Sequence, residues 1–232
     1  MNAFTPTARS QAKRRHDRAK YDEAAVFAAL DAAFIAHIGY VIDSQPYVTP
    51  TAYWRTGRKL YWHGSAASRM LRSQAGSVPV CVTVTQLDAL VMARSGFNHS
   101  LNYRSVMAFG TAHIIDDMDE KQRELDRFID RLYPGRRATL RANEAQEIKA
   151  TTVIGMEIEE AAVKIRSGGP KDDEPDYALG CWAGIIPIHQ VIGTPVADPD
   201  RKKDVPYPAE LGDYQPGASL DDVMRKVAQN IA

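Results

Sequence analysis

The chain has 232 residues, of which 44% are apolar and 25% are charged, and its formal net charge at pH 7 is zero. This is an ordinary globular composition, without the overall charge that attracts nucleic acid or an acidic membrane surface. The two cysteines are too few and too scattered for a disulfide framework or a zinc site, and no apolar run approaches the length of a membrane span, so we expect a cytoplasmic protein.

The chain begins with a basic arm over residues 1–20, which carries six arginines and lysines against Asp17 as its lone acid. Such an arm is either a solvated terminus or a grip for a phosphate or a partner. A helix is predicted over residues 22–36, because Val26, Leu30 and Phe34 share one helical stripe.

The pattern then changes to short runs rich in β-branched and aromatic residues. Strands are predicted over 37–42, 47–54 and 59–63, and hairpin-like turns join them into an antiparallel meander. The elements predicted after these are a helix over 65–74, strands over 78–86 and 89–95 with a turn at 87–88, a strand over 103–115, helices over 119–132 and 142–149, and strands over 151–166 and 182–188.

The C-terminal part, residues 193–232, reads as an irregular extension that closes with a short helix over 220–231. At least six short strands with interspersed helices indicate one α+β domain, mainly β, over residues 1–232. An antiparallel barrel or an antiparallel sheet closed by helices fits this pattern.

The segment with the clearest chemistry runs from Gly64 to Arg69, where a strand gives way to a predicted helix. Helix N-termini carry unpaired N–H groups, and small residues there let a phosphate approach the backbone. Ser65 and Ser68 can add hydroxyl donors and Arg69 a charged fork, which favours a phosphate-monoester site. The alternative is a serine N-cap beside a solvated arginine.

A proline interrupts the strand that precedes this segment, in Thr49-Pro50-Thr51. Because proline cannot donate to a strand ladder, an edge or bulge there leaves backbone groups free for a flat polar ring. Tyr53, Trp62 and Trp182 are candidate walls for such a ring, and plain core packing is the alternative for each of them.

Several long pieces of the chain, in the same order, resemble the flavin-nucleotide-binding branch of the pyridoxamine 5'-phosphate oxidase-like proteins, to which the nitroimidazole-resistance flavoproteins are related. The pieces are RRHDRAKYD (14–22), HIGYVIDSQPYVTPTAYW (37–54), LYWHGSAASRMLR (60–72), PVCVTVTQLDALVMARSGFNHSLNYRSVMAFG (79–110), KIRSGGPKDDEPDY (164–177) and CWAGIIPI (181–188).

The resemblance implies a six-stranded antiparallel split β-barrel that forms a homodimer, with one FMN in each of two clefts between the subunits. It assigns phosphate contacts to Ser68 and Arg69. The other cofactor-binding residues that it implies are Thr49, Pro50 and Thr51 beside the ring, His63, Gly64 and Ser65 at the turn, Met70 after the Ser-Arg pair, Asn102, Tyr103 and Arg104 from the partner subunit, and Trp182 near the ring.

The chain departs from the oxidases that give this superfamily its name. The strand over residues 47–52 lacks their arginine and lysine, Met70 follows Arg69 where they have a lysine, and their C-terminal arginine/histidine motif is missing. These differences argue against vitamin B6 oxidation more than against FMN binding, because the remaining donors suffice for one phosphate.

Two kinds of function remain open on the sequence. The first is an FMN-dependent oxidoreductase acting on a small organic molecule, with His63 as the catalytic proton donor. The second is a flavin-binding protein without turnover, for storage or sensing, and a further alternative replaces FMN with haem or a deazaflavin. No metal site is predicted because no histidines share a tight ligand spacing, and no nucleic-acid partner because no aromatic residues interleave the basic arm.

Overall fold

The computed structural model describes residues 2–74, 76–200 and 205–231. The described ranges contain nine strands, which pair antiparallel in a single sheet. The strands are β1 (Ala19–Lys20), β2 (Ile35–Ile42), β3 (Gln45–Thr56), β4 (Lys59–Ser65), β5 (Val78–Met92), β6 (Ser100–Ile114), β7 (Thr151–Glu157), β8 (Glu160–Arg166) and β9 (Gly184–Pro187). The α-helices are α1 (Glu23–Asp31), α2 (Arg69–Gln74), α3 (Met118–Leu132), α4 (Ala145–Ala150) and α5 (Leu220–Ile231).

Six of these strands close into a barrel. The pairing runs β2-β3-β4-β7-β6-β5 and returns from β5 to β2, so each strand of the ring has a neighbour on both sides. Alternate side chains point inward along each strand, and Ile38, Leu60, Trp62 and Met156 are fully buried in the resulting core. The expected six-stranded antiparallel split barrel, mainly β with flanking helices, is therefore confirmed, with three further strands outside the ring.

Strands β5 and β6 are 15 residues long and extend beyond the barrel as a ribbon. On the edge of β6, β7 pairs with Ala112–Ile114, and β8 pairs further along with Tyr103–Phe109. The short strand β9 pairs with β5 at Ala89–Met92. The sheet thus divides into a closed barrel and an open extension built on the same two strands.

The first helix is shorter than predicted, and its end shows why periodicity alone misplaced it. Helix α1 stops at Asp31, and β2 has already begun at Ile35. Ala36 and Ile38 are both fully buried, which is the two-residue period of a strand. The last two predicted helical residues, Ile35 and Ala36, therefore belong to the barrel rather than to the helical stripe.

The predicted turn at residues 87–88 is a β-bulge. The register passes from Leu87 opposite Tyr103 to Ala89 opposite Asn102, which leaves Asp88 as one extra residue in a continuous strand. The predicted strand over 151–166 is instead two strands, β7 and β8, on the same edge of β6. Gly110 lies where they separate, and a Cβ there would come within 2.2 Å of the Glu157 carbonyl oxygen.

Helix α3 covers the outer surface of β3 and β4. The indole Nε1 of Trp54 donates a 3.0 Å hydrogen bond to the buried carboxylate of Glu124, and Phe128 packs against the Trp54 ring at 5.2 Å between centroids. A second apolar cluster forms beneath the helix from Trp54, Tyr61, Ile115 and Val153. In the ranges that the structure describes, no helix combines the length and apolarity needed to cross a membrane.

Candidate functional site

Arg69 lies at the start of α2, beside Tyr47 of β3. Arg69 Nη2 donates a 3.1 Å hydrogen bond to the Tyr47 hydroxyl, and the guanidinium lies 5.1 Å from the centroid of the Tyr47 ring. Tyr47 stacks on Tyr40, whose hydroxyl shares a 3.0 Å hydrogen bond with Thr49 Oγ1. Within the described ranges Arg69 makes no ion pair, so four of its five N–H donors remain available to an anion.

The turn before α2 differs from the prediction. Ser65 is the last residue of β4, opposite Thr151, and the helix of six residues begins only at Arg69. The amide of Ala66 donates to the carbonyl of Ala150 at 3.1 Å, and the amide of Ser68 donates to the carbonyl of Ser65 at 2.8 Å. The backbone of the turn is thus already engaged.

The donors near Arg69 are side chains and the first amides of α2. Ser65 Oγ accepts from the Ala67 amide at 3.2 Å, whereas the Ser68 hydroxyl has no hydrogen-bond partner among the described residues. Met70 is buried in the core, so it can offer only its backbone to a ligand. The short helix gives little macrodipole, and the charge of Arg69 is therefore the main attraction for an anion.

Two threonines of β3 share the barrel-facing side with this group. Thr49 lies opposite Ile38 and Thr51 lies opposite Ala36, both buried in the core, while Pro50 faces the other way, opposite His37. Gly64 lies close beneath α2, since a Cβ there would meet Leu71 Cδ1 at 3.0 Å. The structure therefore brings Thr49 and Thr51 to the side of Tyr47, and Gly64 to the side of α2.

His63 is separated from this group by the alternation of the strand. On β4 the indole of Trp62 points into the barrel, whereas the His63 ring lies beneath α3, with centroids 4.6 Å from Phe128 and 5.8 Å from Trp54. Its Nδ1 is buried, without a hydrogen-bond partner in the described part of the chain, and burial lowers the pKa of the imidazole. The period of two was a usable signal, because neighbours such as His63 and Gly64 must face opposite sides.

Asn102, Tyr103 and Arg104 lie on the part of β6 that extends beyond the barrel. Asn102 is buried, accepts from Arg166 Nη1 and donates to the Gly168 carbonyl oxygen at 3.1 Å. Arg104 is fully engaged, with Asp88 at the bulge and Asp221 on α5, each at 2.8 Å.

The strand registers relate the two groups through β2 and β5. Pro50 on β3 is opposite His37 on β2, His37 is opposite Thr83 on β5, and Thr83 is opposite Met107, three residues from Arg104 on β6. Among the described residues, no hydrogen bond or ion pair joins Arg69 to residues 102–104.

The aromatic candidates divide into core and surface residues. Tyr53 and Trp62 are core residues: the Tyr53 hydroxyl donates to the Leu30 carbonyl, and Trp62 Nε1 donates to Gln74 Oε1 at 2.9 Å. Trp182 precedes β9 and is 62% exposed, with its ring over Gly184, where a Cβ would come within 2.8 Å of the indole. Tyr53 and Trp62 are therefore not ring walls, and Trp182 is an exposed surface residue of this subunit.

The basic arm is held against the sheet, which the sequence did not reveal. Phe4 is buried, and Arg9 pairs with Glu160 at 2.6 Å. Arg15 and Arg18 line a polar cavity of about 370 Å³ together with Arg166 and Lys171. The arm thus contributes basic side chains near Asn102, at the far end of β6.

Comparison with known proteins fixes the family. The family model for pyridoxamine 5'-phosphate oxidase matches residues 22–165, more than half of the chain. Flavocytochrome Anf3 from Azotobacter vinelandii is 43% identical, with a TM-score of 0.86 over 92% of this chain and 100% of that one. The FAD and haem binding protein from Mycobacterium smegmatis is 35% identical, with a TM-score of 0.83 over 88% of this chain and 98% of that one.

A protein from Bacteroides thetaiotaomicron described as a 5-nitroimidazole antibiotic resistance protein shares the fold, at 21% identity and a TM-score of 0.52 over 63% of this chain and 86% of that one. Among curated proteins, no sequence matches the chain. The chain belongs to the pyridoxamine 5'-phosphate oxidase family, and its fold is similar to the folds of these two flavin- and haem-containing proteins.

Proposed function

We propose that the protein is a homodimeric flavin-nucleotide-binding redox protein that also carries haem. The observation that carries this proposal is the likeness to a flavocytochrome, at 43% identity over 92% of the chain. The FAD and haem binding protein supports it with a second pairing of the same two cofactors. Because that relative binds both FAD and haem, we propose that haem is bound in addition to the flavin and not instead of it.

The flavin phosphate is proposed to bind at Arg69. Its guanidinium has donors to spare, and Tyr47 holds it at the start of α2. The Ser68 hydroxyl and the first amides of α2 would complete the set, with Thr49 and Thr51 near the ring. The donors suit the phosphate of FMN, which the family resemblance implies, and equally the pyrophosphate of FAD. A bound flavin supplies one- and two-electron redox chemistry, while the protein binds and orients it.

The homodimer is proposed from an exposed apolar face on the extended part of the sheet. Leu87, Leu90, Leu101, Met107 and Ile186 are each 39–48% exposed. Leu90 lies opposite both Leu101 and Ile186, and Leu87 lies opposite Tyr103 on the same face. Apolar patches of this kind mark interfaces. The family resemblance implies that residues 102–104 of the second copy then approach the flavin.

The spectrum of the purified protein tests this proposal. We expect one preparation to show flavin absorption bands in the blue and the near-ultraviolet together with a haem Soret band. Denaturation and chromatography of the released flavin distinguish FMN from FAD. A colourless protein that takes up neither FMN nor FAD would contradict flavin binding.

Turnover needs a separate test. Anaerobic bleaching of the flavin by NADH or NADPH, followed by reoxidation with a quinone or a nitroaromatic compound, would support an oxidoreductase acting on a small organic acceptor. If no nicotinamide donor reduces the flavin, the alternative of a flavin-binding protein without turnover gains support.

A further inference from the structure

A cavity beneath α3 lies on the outer side of β4, away from Arg69. It has a volume of about 380 Å³, and its apolar lining comes from α3 and from the segment that follows it. Its lining includes His63, Leu125, Phe128, Ile129, Leu140 and Ile148. The polar side chains at its lining, besides His63, are those of Arg141, Asn143, Glu147 and Thr151. A cavity with mainly apolar walls and a few polar groups is the usual form of a cofactor site.

His63 is the unusual residue of this cavity. Its Nδ1 is buried and has no hydrogen-bond partner among the described residues, although buried polar atoms are nearly always paired and an unpaired one costs stability.

The orientation of His63 is fixed by its neighbours. The His63 ring packs edge to face against Phe128, with 4.6 Å between ring centroids, and its centroid lies 5.8 Å from that of Trp54. The hydrogen bond from Trp54 to Glu124 links β3 to α3. The His63 side chain is therefore already held in place, and binding a ligand to it costs little side-chain conformational entropy.

A bare metal ion does not fit this cavity. In the ranges that the structure describes, no three histidine, cysteine, aspartate or glutamate side chains gather as a metal site. Haem iron differs, because the macrocycle supplies four nitrogen ligands and the protein need add only an axial one, often a histidine. The apolar faces of a macrocycle also match Leu125, Phe128 and Leu140, the last of which is left 45% exposed at the cavity.

The cavity also offers a cation for the acidic edge of such a ligand. Arg141 lines it and is well exposed, and its Nη1 donates to Glu147 Oε2 at 2.8 Å. An exposed pair of this kind is worth little, so a propionate can share or displace Glu147.

We propose that His63 is the axial ligand of the haem iron, through a ring nitrogen, and that the cavity beneath α3 receives one face of the macrocycle. This inference rests on the proposed function, because haem enters there from the two similar proteins. It places haem and the flavin phosphate on opposite sides of β4, which lets one chain hold both cofactors.

The test compares two histidine variants of the full chain, loaded with hemin. We expect His63→Ala to raise the haem dissociation constant at least ~10-fold, and added imidazole to restore the Soret band and the low-field electron paramagnetic resonance signal. His99→Ala is the matched control, because His99 is exposed in a loop and bonds the Ser95 carbonyl. Its haem binding should equal that of the unaltered protein.

A second variant distinguishes a specific loss of haem binding from misfolding of the His63→Ala protein. Leu140→Asp adds a charge at the exposed side of the cavity without altering His63, and it should also weaken haem binding. Flavin content, measured in the same samples, should stay unchanged in all three variants. If His63→Ala keeps haem with an unchanged axial-ligand signal, the inference is wrong.

Two further outcomes separate this inference from the proposed function. Unaltered protein that binds flavin but no hemin would overturn both the haem proposal and the role of His63, while leaving the flavin proposal intact. Unaltered protein that binds hemin through His63 but no flavin would support the inference and contradict flavin binding.

Discussion

Arg69 and Tyr47 form a unit that joins α2 to β3: the guanidinium donates a 3.1 Å hydrogen bond to the hydroxyl and lies 5.1 Å from the ring centroid. The stacked ring of Tyr40 supports Tyr47 from the next strand. A charged group held in this way, with no ion pair to another described residue, is prepared for an anionic ligand. The relationship gives the proposed phosphate site a geometric basis that the sequence alone did not provide.

Arg69→Ala should weaken flavin binding by at least ~10-fold, because a hydrogen bond to a charged group is worth roughly 1.5–3 kcal/mol. Titration of the apoprotein, followed by flavin fluorescence, measures the dissociation constant. Arg72→Ala is the control, since Arg72 is exposed on the same helix. Equal affinities for the two variants would remove Arg69 from the phosphate site.

Tyr47→Phe should have a smaller effect in the same titration. The variant keeps the ring beneath Arg69 and removes only the hydroxyl, so the loss is that of one neutral acceptor, about 0.5–1.5 kcal/mol, or roughly 2- to 12-fold in affinity. In the double variant with Arg69→Ala the two losses should not add, because Tyr47 acts through Arg69. Full additivity would show that the two side chains act independently.

Met107→Asp should convert the proposed dimer into a monomer. The side chain lies on the exposed apolar face of β6, opposite Thr83 and Ala162, and a two-fold interface would meet the new charge twice. Sedimentation velocity measures the mass. Val196→Asp, at an equally apolar but 95% exposed position outside the sheet, should remain dimeric. Unaltered protein that sediments as a flavin-loaded monomer would contradict the shared cleft.

Gly110→Ala should destabilise the barrel by about 1–3 kcal/mol or more. Its Cβ would lie 2.2 Å from the Glu157 carbonyl oxygen, where the backbone of β7 turns towards β8, so the strands must move apart. Urea unfolding gives the change in free energy. Gly96→Ala is the control, because a Cβ there meets no atom within 4 Å. If the Gly110→Ala and Gly96→Ala variants have the same unfolding midpoint, the barrel accommodates a methyl group at Gly110 without loss of stability.

Most strands could be predicted from local sequence pattern, whereas the closed barrel could not. Alternation located β2 to β4, because one face of each strand is buried in the barrel. The closure of the ring depends on the pairing of β5 with β2 and of β6 with β7, which are contacts between distant parts of the chain. Local pattern carries no information on these pairings, and the resemblance to a known family supplied them.

The site was predicted in part. Arg69 and Ser68 were identified from residue type, whereas the role of Tyr47 depends on a contact across 22 residues of chain. His63 was grouped with Arg69 because the two are close in sequence, although strand alternation turns its ring to the other side of β4. Asp88 was predicted to lie in a turn because a polar residue that interrupts an apolar run is found both in turns and in bulges.

The most direct test of the account is a crystal structure of the protein with its flavin. We predict a phosphate oxygen within about 3 Å of the Arg69 guanidinium and the ring in a cleft between two subunits, near residues 102–104 of the second copy. A structure in which the flavin is bound with its phosphate away from Arg69, or within one subunit alone, would contradict the account.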